Sequence, residues 1–322
     1  MEIMHEIDIL LPAHVANSFL EEAVESVLAS ENIQVNLILV DTRSDEMQSQ
    51  QPLLFANSNI TVIRLPLGSY IEALSHGLNF KRSEFLGLMN SDDLIDPKRF
   101  EKQINKIIET ESDICICGIR KFHIFGKWLP SLSGKIDSEE FEKYFWLLGP
   151  SGADATWVLR REWAQQNEIF QSKYKNDWQL ALSLPDSTKI VSVDEELYFY
   201  RQHPDQITRT NLEVQQSLID SWKGLNQELN LPELSNAEII AISMPWVRSN
   251  QIDSYSKISV WFISFMRLIE NTRLRKSVKE VYNRRMIFAL NIRNYSTFPV
   301  RSLRTLPKIL IERVQIGKLI RK

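Results

Sequence analysis

Short apolar runs alternate with stretches whose apolar positions recur every third or fourth residue, and this alternation organises the chain as far as about residue 210. Glu6-Ile7-Asp8-Ile9-Leu10-Leu11-Pro12 reads as a buried strand that stops at its proline. Ser18 and Glu21 form a capping box, and Leu20, Ala23, Val24, Val27 and Leu28 share one face of the helix it opens. The β-branched run Val35-Asn36-Leu37-Ile38-Leu39-Val40 then ends in Asp41, which completes a βαβ unit.

The same rhythm continues. Ile60 to Leu65 is a third strand, and Ser69 with Glu72 opens a helix through Ile71, Leu74 and Leu78. Phe85 to Met89 is a fourth strand, after which Asp96 is placed to cap a helix with Pro97 at its first position and Phe100, Ile104, Ile107 and Ile108 as its buried stripe. Ile114 to Ile119 is a fifth. Strands alternating with helices predict an α/β fold with a largely parallel, doubly wound sheet, in which ligands sit beyond the carboxyl ends of the strands. Asp41 and the adjacent Asp92 and Asp93 fall at such ends. Beyond Phe122 the pattern loosens, with a strand expected at Gly152–Arg160, a short helix at Asp177–Leu184 and a bent strand or strand pair at Ile190–Tyr200. After about residue 210 the sequence turns helical, so a first domain at 1–210 and a helical region at 211–322 are expected.

Charge sharpens that division. The formal net charge is only −3, yet from Lys257 to Lys322 there are 16 Lys/Arg against three acids, leaving 22 basic and 38 acidic residues before them. A basic, amphipathic end suits an anionic membrane surface, and no nucleic-acid-binding motif accompanies the charge. The N-terminal MEIMHEIDILLPAH has acids where a signal peptide carries a basic flank, and no apolar run approaches the roughly 20 residues that span a bilayer. A cytoplasmic protein, peripheral on the inner face of the plasma membrane, is the expectation. Cys115 and Cys117, the two cysteines, fit one buried strand face and no zinc or disulfide pattern.

Five segments in order resemble the family 2 glycosyltransferases, inverting nucleotide-sugar enzymes of the GT-A fold. They are IDILLPAHVANSFLEEAVESVLAS, LILVDTRSDE, GSYIEALSHGL, FLGLMNSDDLIDPKRFEKQ, and NDWQLALSL with LYFYRQHPDQIT. The resemblance implies a divalent cation, Mg²⁺ or Mn²⁺, held at Asn90-Ser91-Asp92 where the family has an Asp-x-Asp sequence, because a departing diphosphate needs hard-cation neutralisation. Asp92 is then the metal ligand with Asn90 beside it, and Asp93 reaches the nucleotide through water or the ribose. Asp41 would accept from uracil, Pro12 and His14 would line the base loop, Arg201 and His203 would approach the diphosphate, and Asp154 would hold an acceptor hydroxyl. Asp177, after Asn176, would be the catalytic base.

The implied function is transfer of a sugar from a UDP-sugar to a glycan or lipid-linked oligosaccharide acceptor in surface polysaccharide synthesis. Four positions depart from the family: Asn90 and Asn176 replace acids, Thr42 replaces a second acid after Asp41, and Ser75 replaces an asparagine. Asn90 and Asn176 keep open a non-catalytic sugar-nucleotide-binding or scaffolding relative. A nucleotidyltransferase lacks the glycine-rich basic loop it would need near the first strand.

Overall fold

The computed structural model describes residues 4–14, 18–50, 57–66, 70–80, 83–123, 154–171, 177–185, 187–204, 206, 212–243 and 255–268. Their order is β1 (Glu6–Ala13), α1 (Ser18–Leu28), β2 (Gln34–Asp41), α2 (Asp45–Gln50), β3 (Ile60–Arg64), α3 (Tyr70–Leu78), β4 (Phe85–Leu88), β5 (Leu94–Ile95), α4 (Arg99–Thr110) and β6 (Ile114–His123). A 3-10 turn (Asp154–Thr156), β7 (Val158–Arg160), α5 (Arg161–Gln166), α6 (Asp177–Leu182), β8 (Ile190–Gln202), α7 (Leu212–Glu228), α8 (Asn236–Ser243) and α9 (Tyr255–Leu268) follow. The described residues form two compact units, one reaching Gln206 and one beginning with α7.

In the first unit eight strands make one sheet, β3-β2-β1-β4-β7-β6-β8-β5. The β1–β2, β1–β4, β2–β3 and β6–β8 pairings are parallel, while β7 runs antiparallel to β4 and β6, and β5 antiparallel to β8. The sheet is thus mixed and mostly parallel. Ile7, Ile9 and Leu11 of β1 pack with Ala23 and Val27 of α1 and with Phe100, Ile104 and Ile107 of α4 in one core. Gly87 lets α4 approach β4 closely, since a Cβ there would lie 2.9 Å from the Phe100 ring.

The elements differ from the sequence pattern where tertiary pairing outweighs local signal. Only Val158–Arg160 of the expected Gly152–Arg160 strand is extended, because Asp154–Thr156 coils into a 3-10 turn; residues 151–153 lie outside the described set. Helix α4 starts at Arg99 rather than Pro97: Asp96 accepts from the Lys98 N–H (2.9 Å) and makes a turn ahead of the helix instead of capping it. The bend expected in β8 is a register shift against β6 around Gly118, where a Cβ would meet the Glu195 carbonyl oxygen at 2.8 Å. Cys115 and Cys117 are buried free thiols on β6 in the same core.

In the second unit the apolar run Val260–Met266 falls in α9, and it is mainly core. Trp261, Phe262 and Phe265 are buried, Trp261 stacks on Phe265 and donates Nε1–H to Asn226 (2.6 Å). Lys257, Val260, Arg267 and Leu268 are exposed. The basic residues from Arg273 onward lie outside the described residues. Among the described residues no helix is long and apolar enough to cross a membrane.

Candidate functional site

Parallel β1, β2 and β4 end side by side, and the residues that follow them form the site. Leu88 closes β4, and Asn90-Ser91-Asp92-Asp93 turns off the sheet before β5 pairs with the far end of β8. This brings Asp92 to His203, just past β8. The His203 Nε2–H donates to Asp92 Oδ2 (2.9 Å), because a carboxylate can only accept. Asp92 is 29% exposed and His203 8%. The other ring nitrogen, Nδ1, is buried with no hydrogen-bond partner among the described residues.

Asp93 differs sharply from its neighbour. It has no exposed surface, and it accepts from the Tyr198 hydroxyl (2.6 Å), the Arg201 backbone N–H (2.7 Å) and the Asn90 amide (3.3 Å). Burial first, and then the negative charge of Asp92, push its carboxyl well above the usual range. In this structure both Asp93 oxygens accept from groups of the protein itself and hold the turn to β8.

Arg201 is likewise engaged by the protein itself. Its guanidinium lies between the rings of Phe19 (4.5 Å) and Phe122 (4.8 Å), pairs with Glu22 of α1 (2.6 Å) and donates to the Asp92 carbonyl oxygen (2.7 Å). It is 5% exposed and ties the Asp92 backbone to α1. Asn90 turns its amide nitrogen to Asp93, and the side chain brought onto Asp92 is His203 instead.

The base-side residues sit at the ends of β1 and β2. Asp41 is buried and takes a two-pronged pairing from Arg43, Nε to Oδ1 and Nη2 to Oδ2, both 2.8 Å. Pro12 is buried within β1 opposite Val40. His14 Nδ1 is 2.6 Å from the Thr42 hydroxyl, and burial lowers the His14 pKa from 6.5. Thr42, where the family has a second acid, is thereby the partner of His14. Asp154, expected to hold an acceptor hydroxyl, is buried in the 3-10 turn with Oδ1 accepting from the Ala155 N–H (2.8 Å). Asp177 opens α6; its side chain and Asn176 lie outside what the structure describes.

Phe19, Glu22, Arg43 and Tyr198 belong to the site and were not marked by the sequence pattern. Tyr198 and Arg201 stand three apart on a strand, a spacing that puts them on opposite faces; only the turn after β4 brings Asp93 to both.

Among the described residues no group of three or more His, Cys, Asp and Glu converges on a metal position. Asp92, part-exposed and an oxygen donor, is the side chain there that could hold a divalent cation, and His203 could join it only once its Nε2 proton is given up. A two-residue protein set suits ions that complete their shell with substrate phosphates and water.

Residues 8–167 match the profile of Glycosyl transferase family 2. The uncharacterized glycosyltransferase EpsJ of Bacillus subtilis is 21% identical over 223 residues, 63% of this chain and 62% of EpsJ, so the match spans less than two thirds of that relative. An uncharacterized glycosyltransferase of Rickettsia prowazekii is 22% identical over 71% of this chain and 74% of its own. The crystal structure of S. aureus TarS 1-349 in complex with UDP-GlcNAc superposes with a TM-score of 0.56 at 15% identity, covering 89% of each chain. That likeness is one of fold. Profile, relatives and architecture agree, and the chain carries a glycosyltransferase domain of family 2, in the GT-A fold, over residues 8–167.

Proposed function

We propose that the chain is an inverting transferase that moves a sugar from a UDP-sugar to a glycan or lipid-linked oligosaccharide in surface polysaccharide synthesis. The observation that carries the reading is the Asp92–His203 pair beyond the ends of β4 and β8. The choice of UDP is supported by the TarS complexes with UDP-GlcNAc and UDP and by a buried carboxylate, Asp41, at the end of β2.

Asp92 and His203 would hold Mg²⁺ or Mn²⁺, which when bound neutralises charge developing on the departing diphosphate. His203 must be neutral for this, its Nε2 proton being given up. Arg43 orients Asp41 so that its remaining lone pair can accept from the base, with His14 along the ring. Asp177 takes the proton from the acceptor hydroxyl as its oxygen attacks the anomeric carbon opposite the diphosphate, and the centre inverts without a covalent enzyme intermediate. Residues 1–210 form the catalytic domain, and the basic region 211–322 holds it to an anionic membrane surface where lipid-linked acceptors reside.

The non-catalytic alternative leaned on Asn90, and the geometry gives that residue another reason. An acid at position 90 would face the buried Asp93 carboxylate, whereas the amide donates to it.

Calorimetry with UDP and Mn²⁺ tests the reading. The intact chain binds, and Asp92→Ala removes the metal-dependent part; absence of binding by the intact chain sinks it. A mass-spectrometric screen of UDP-sugars then finds the donor. Asp177→Asn keeps UDP affinity and lowers turnover about 100- to 10,000-fold; turnover unchanged in that variant overturns the base assignment.

A further inference from the structure

Helix α4 begins with a buried cation. Arg99 has no exposed surface, and no carboxylate pairs with it among the described residues. Burial lowers its pKa, but a guanidinium stays protonated in proteins, so its donors need partners. They find backbone. Nη2 donates to the carbonyl oxygens of Leu88 (3.1 Å) and Ala155 (2.8 Å), and Nε donates to Gln103 Oε1 (3.0 Å). Gln103, one turn along the same face, donates Nε2–H to the carbonyl oxygens of Cys115 (2.7 Å) and Thr156 (2.8 Å). The guanidinium also lies against the rings of Phe100 (4.8 Å) and Tyr198 (5.0 Å).

The four carbonyls belong to parts of the chain that sequence keeps far apart. Leu88 ends β4, two residues before Asn90. Ala155 and Thr156 make the turn that begins at Asp154, and Cys115 is on β6. The Tyr198 ring that Arg99 faces donates its hydroxyl to Asp93. One cation thus bonds the strand that leads to Asp92 and the turn that begins at Asp154, and lies against the ring whose hydroxyl holds Asp93.

We propose that Arg99 is a positioning residue for sugar transfer, and that the Arg99–Gln103 pair sets the spacing between the metal-binding segment at Asp92 and the turn at Asp154. The inference rests on the transferase reading above. An apolar side chain would fill the same space without the cost of burying a charge. What it cannot do is fix two backbone segments at hydrogen-bond distance from one planar group, which a guanidinium does and an ammonium does not. Nucleotide binding, as read above, draws on the ends of β1, β2 and β4, whereas transfer also needs the acceptor that Asp154 would hold, and so needs the two segments in register.

Two variants of the full chain test this. Arg99→Lys keeps the charge and loses the fork; Gln103→Met keeps the volume and loses the contacts at Cys115 and Thr156. Each is measured at a temperature where circular dichroism shows it fully folded. The readouts are the Kd of UDP with Mn²⁺ and kcat for hydrolysis of the UDP-sugar that the unaltered chain turns over. The expected result is a Kd within about threefold of the unaltered chain and a kcat lowered about 10- to 100-fold, since misplacements of about 1 Å have that effect on rate. A kcat fall of less than about tenfold in the folded variants overturns the proposal, as does a Kd that worsens in step with kcat. Should Arg99→Lys not fold, Gln103→Met decides alone. An unaltered chain that neither binds UDP nor hydrolyses any UDP-sugar defeats the transferase reading itself, whereas an active chain with unmoved variants defeats only the positioning role.

Discussion

Asp8 and Asp93 are both fully buried, at opposite ends of the parallel strands, and they are neutralised by opposite means. Asp8, near the start of β1, pairs with the Arg161 guanidinium and accepts from the Ser83 hydroxyl (2.6 Å), the Ser83 N–H (3.1 Å) and the Asn36 amide (3.0 Å). Arg161 in turn donates to the carbonyl oxygens of Ser83 (2.7 Å) and Leu78. Asp93, past the end of β4, has only neutral donors, and the charge that most affects it is the like charge of Asp92. Arg99 stands across the Tyr198 ring from it. The first network is closed: every charge has its opposite, and the cluster joins β1, β2 and α5. The second has no cation among the donors to its carboxylate, and the upward push on Asp93 from burial and from Asp92 is opposed by neutral hydrogen bonds alone.

The largest effect should come from opening the closed network. Arg161→Met leaves Asp8 buried without its cation, and loss of one partner of a buried pair costs about 3 to 5 kcal/mol. Urea denaturation measures it, with UDP affinity of the folded fraction unchanged. A cost below about 1 kcal/mol would mean that Asp8 needs no counter-charge, and the contrast with Asp93 would collapse.

The thiols of β6 sharpen the contrast through pH. Burial pushes Cys115 to about 12 and Cys117 to about 11, from an ordinary 9.0, and Arg99 is the main influence opposing the rise at Cys117. A group whose pKa is raised by folding contributes stability below its unfolded value and loses it as pH climbs to the folded one. Stability should therefore decline between pH 9 and 11, by about 1.4 kcal/mol per pH unit for each thiol at most. Replacing both cysteines by alanine should flatten that slope. If a Cys117 thiolate balanced Arg99 instead, stability would rise with pH below 9 and that thiol would add no slope between pH 9 and 11.

The difference between the two networks also explains what could be read from the sequence. Strands β1, β2 and β4 and helices α1 and α3 announce themselves because their burial is periodic and local. Asp92 stood out as an acid at a strand end, and the family resemblance gave it a use. The pairing of Asp92 with His203 was not legible, because it depends on β8 returning across the sheet from 111 residues away. Arg201 looked like a free cation until Phe19, Glu22 and Phe122 closed around it. That Asp93 turns inward while Asp92 does not was not legible, since adjacent residues carry no local sign of it. Asn90 stood out as a departure from the family for the same reason: its partner was not visible.

That last point gives the smallest and most specific test. Asp93→Asn is isosteric; its oxygen keeps the Arg201 N–H and its amide donates to a Tyr198 hydroxyl turned about. With no ion pair to break, the cost should be about 1 kcal/mol or less, against several for Arg161→Met. Asn90→Asp in the unaltered chain sets a second carboxylate against the buried one and should cost about 1 to 2 kcal/mol. Combined with Asp93→Asn, the same substitution meets an amide, and most of that cost should vanish, a coupling of about 1 kcal/mol in a double-mutant cycle. Additive costs would show that Asn90 is not there on account of Asp93. A cost of about 3 kcal/mol for Asp93→Asn alone would show more: the front carboxylate would then have an ionic partner after all, and the two ends of the sheet would be built alike.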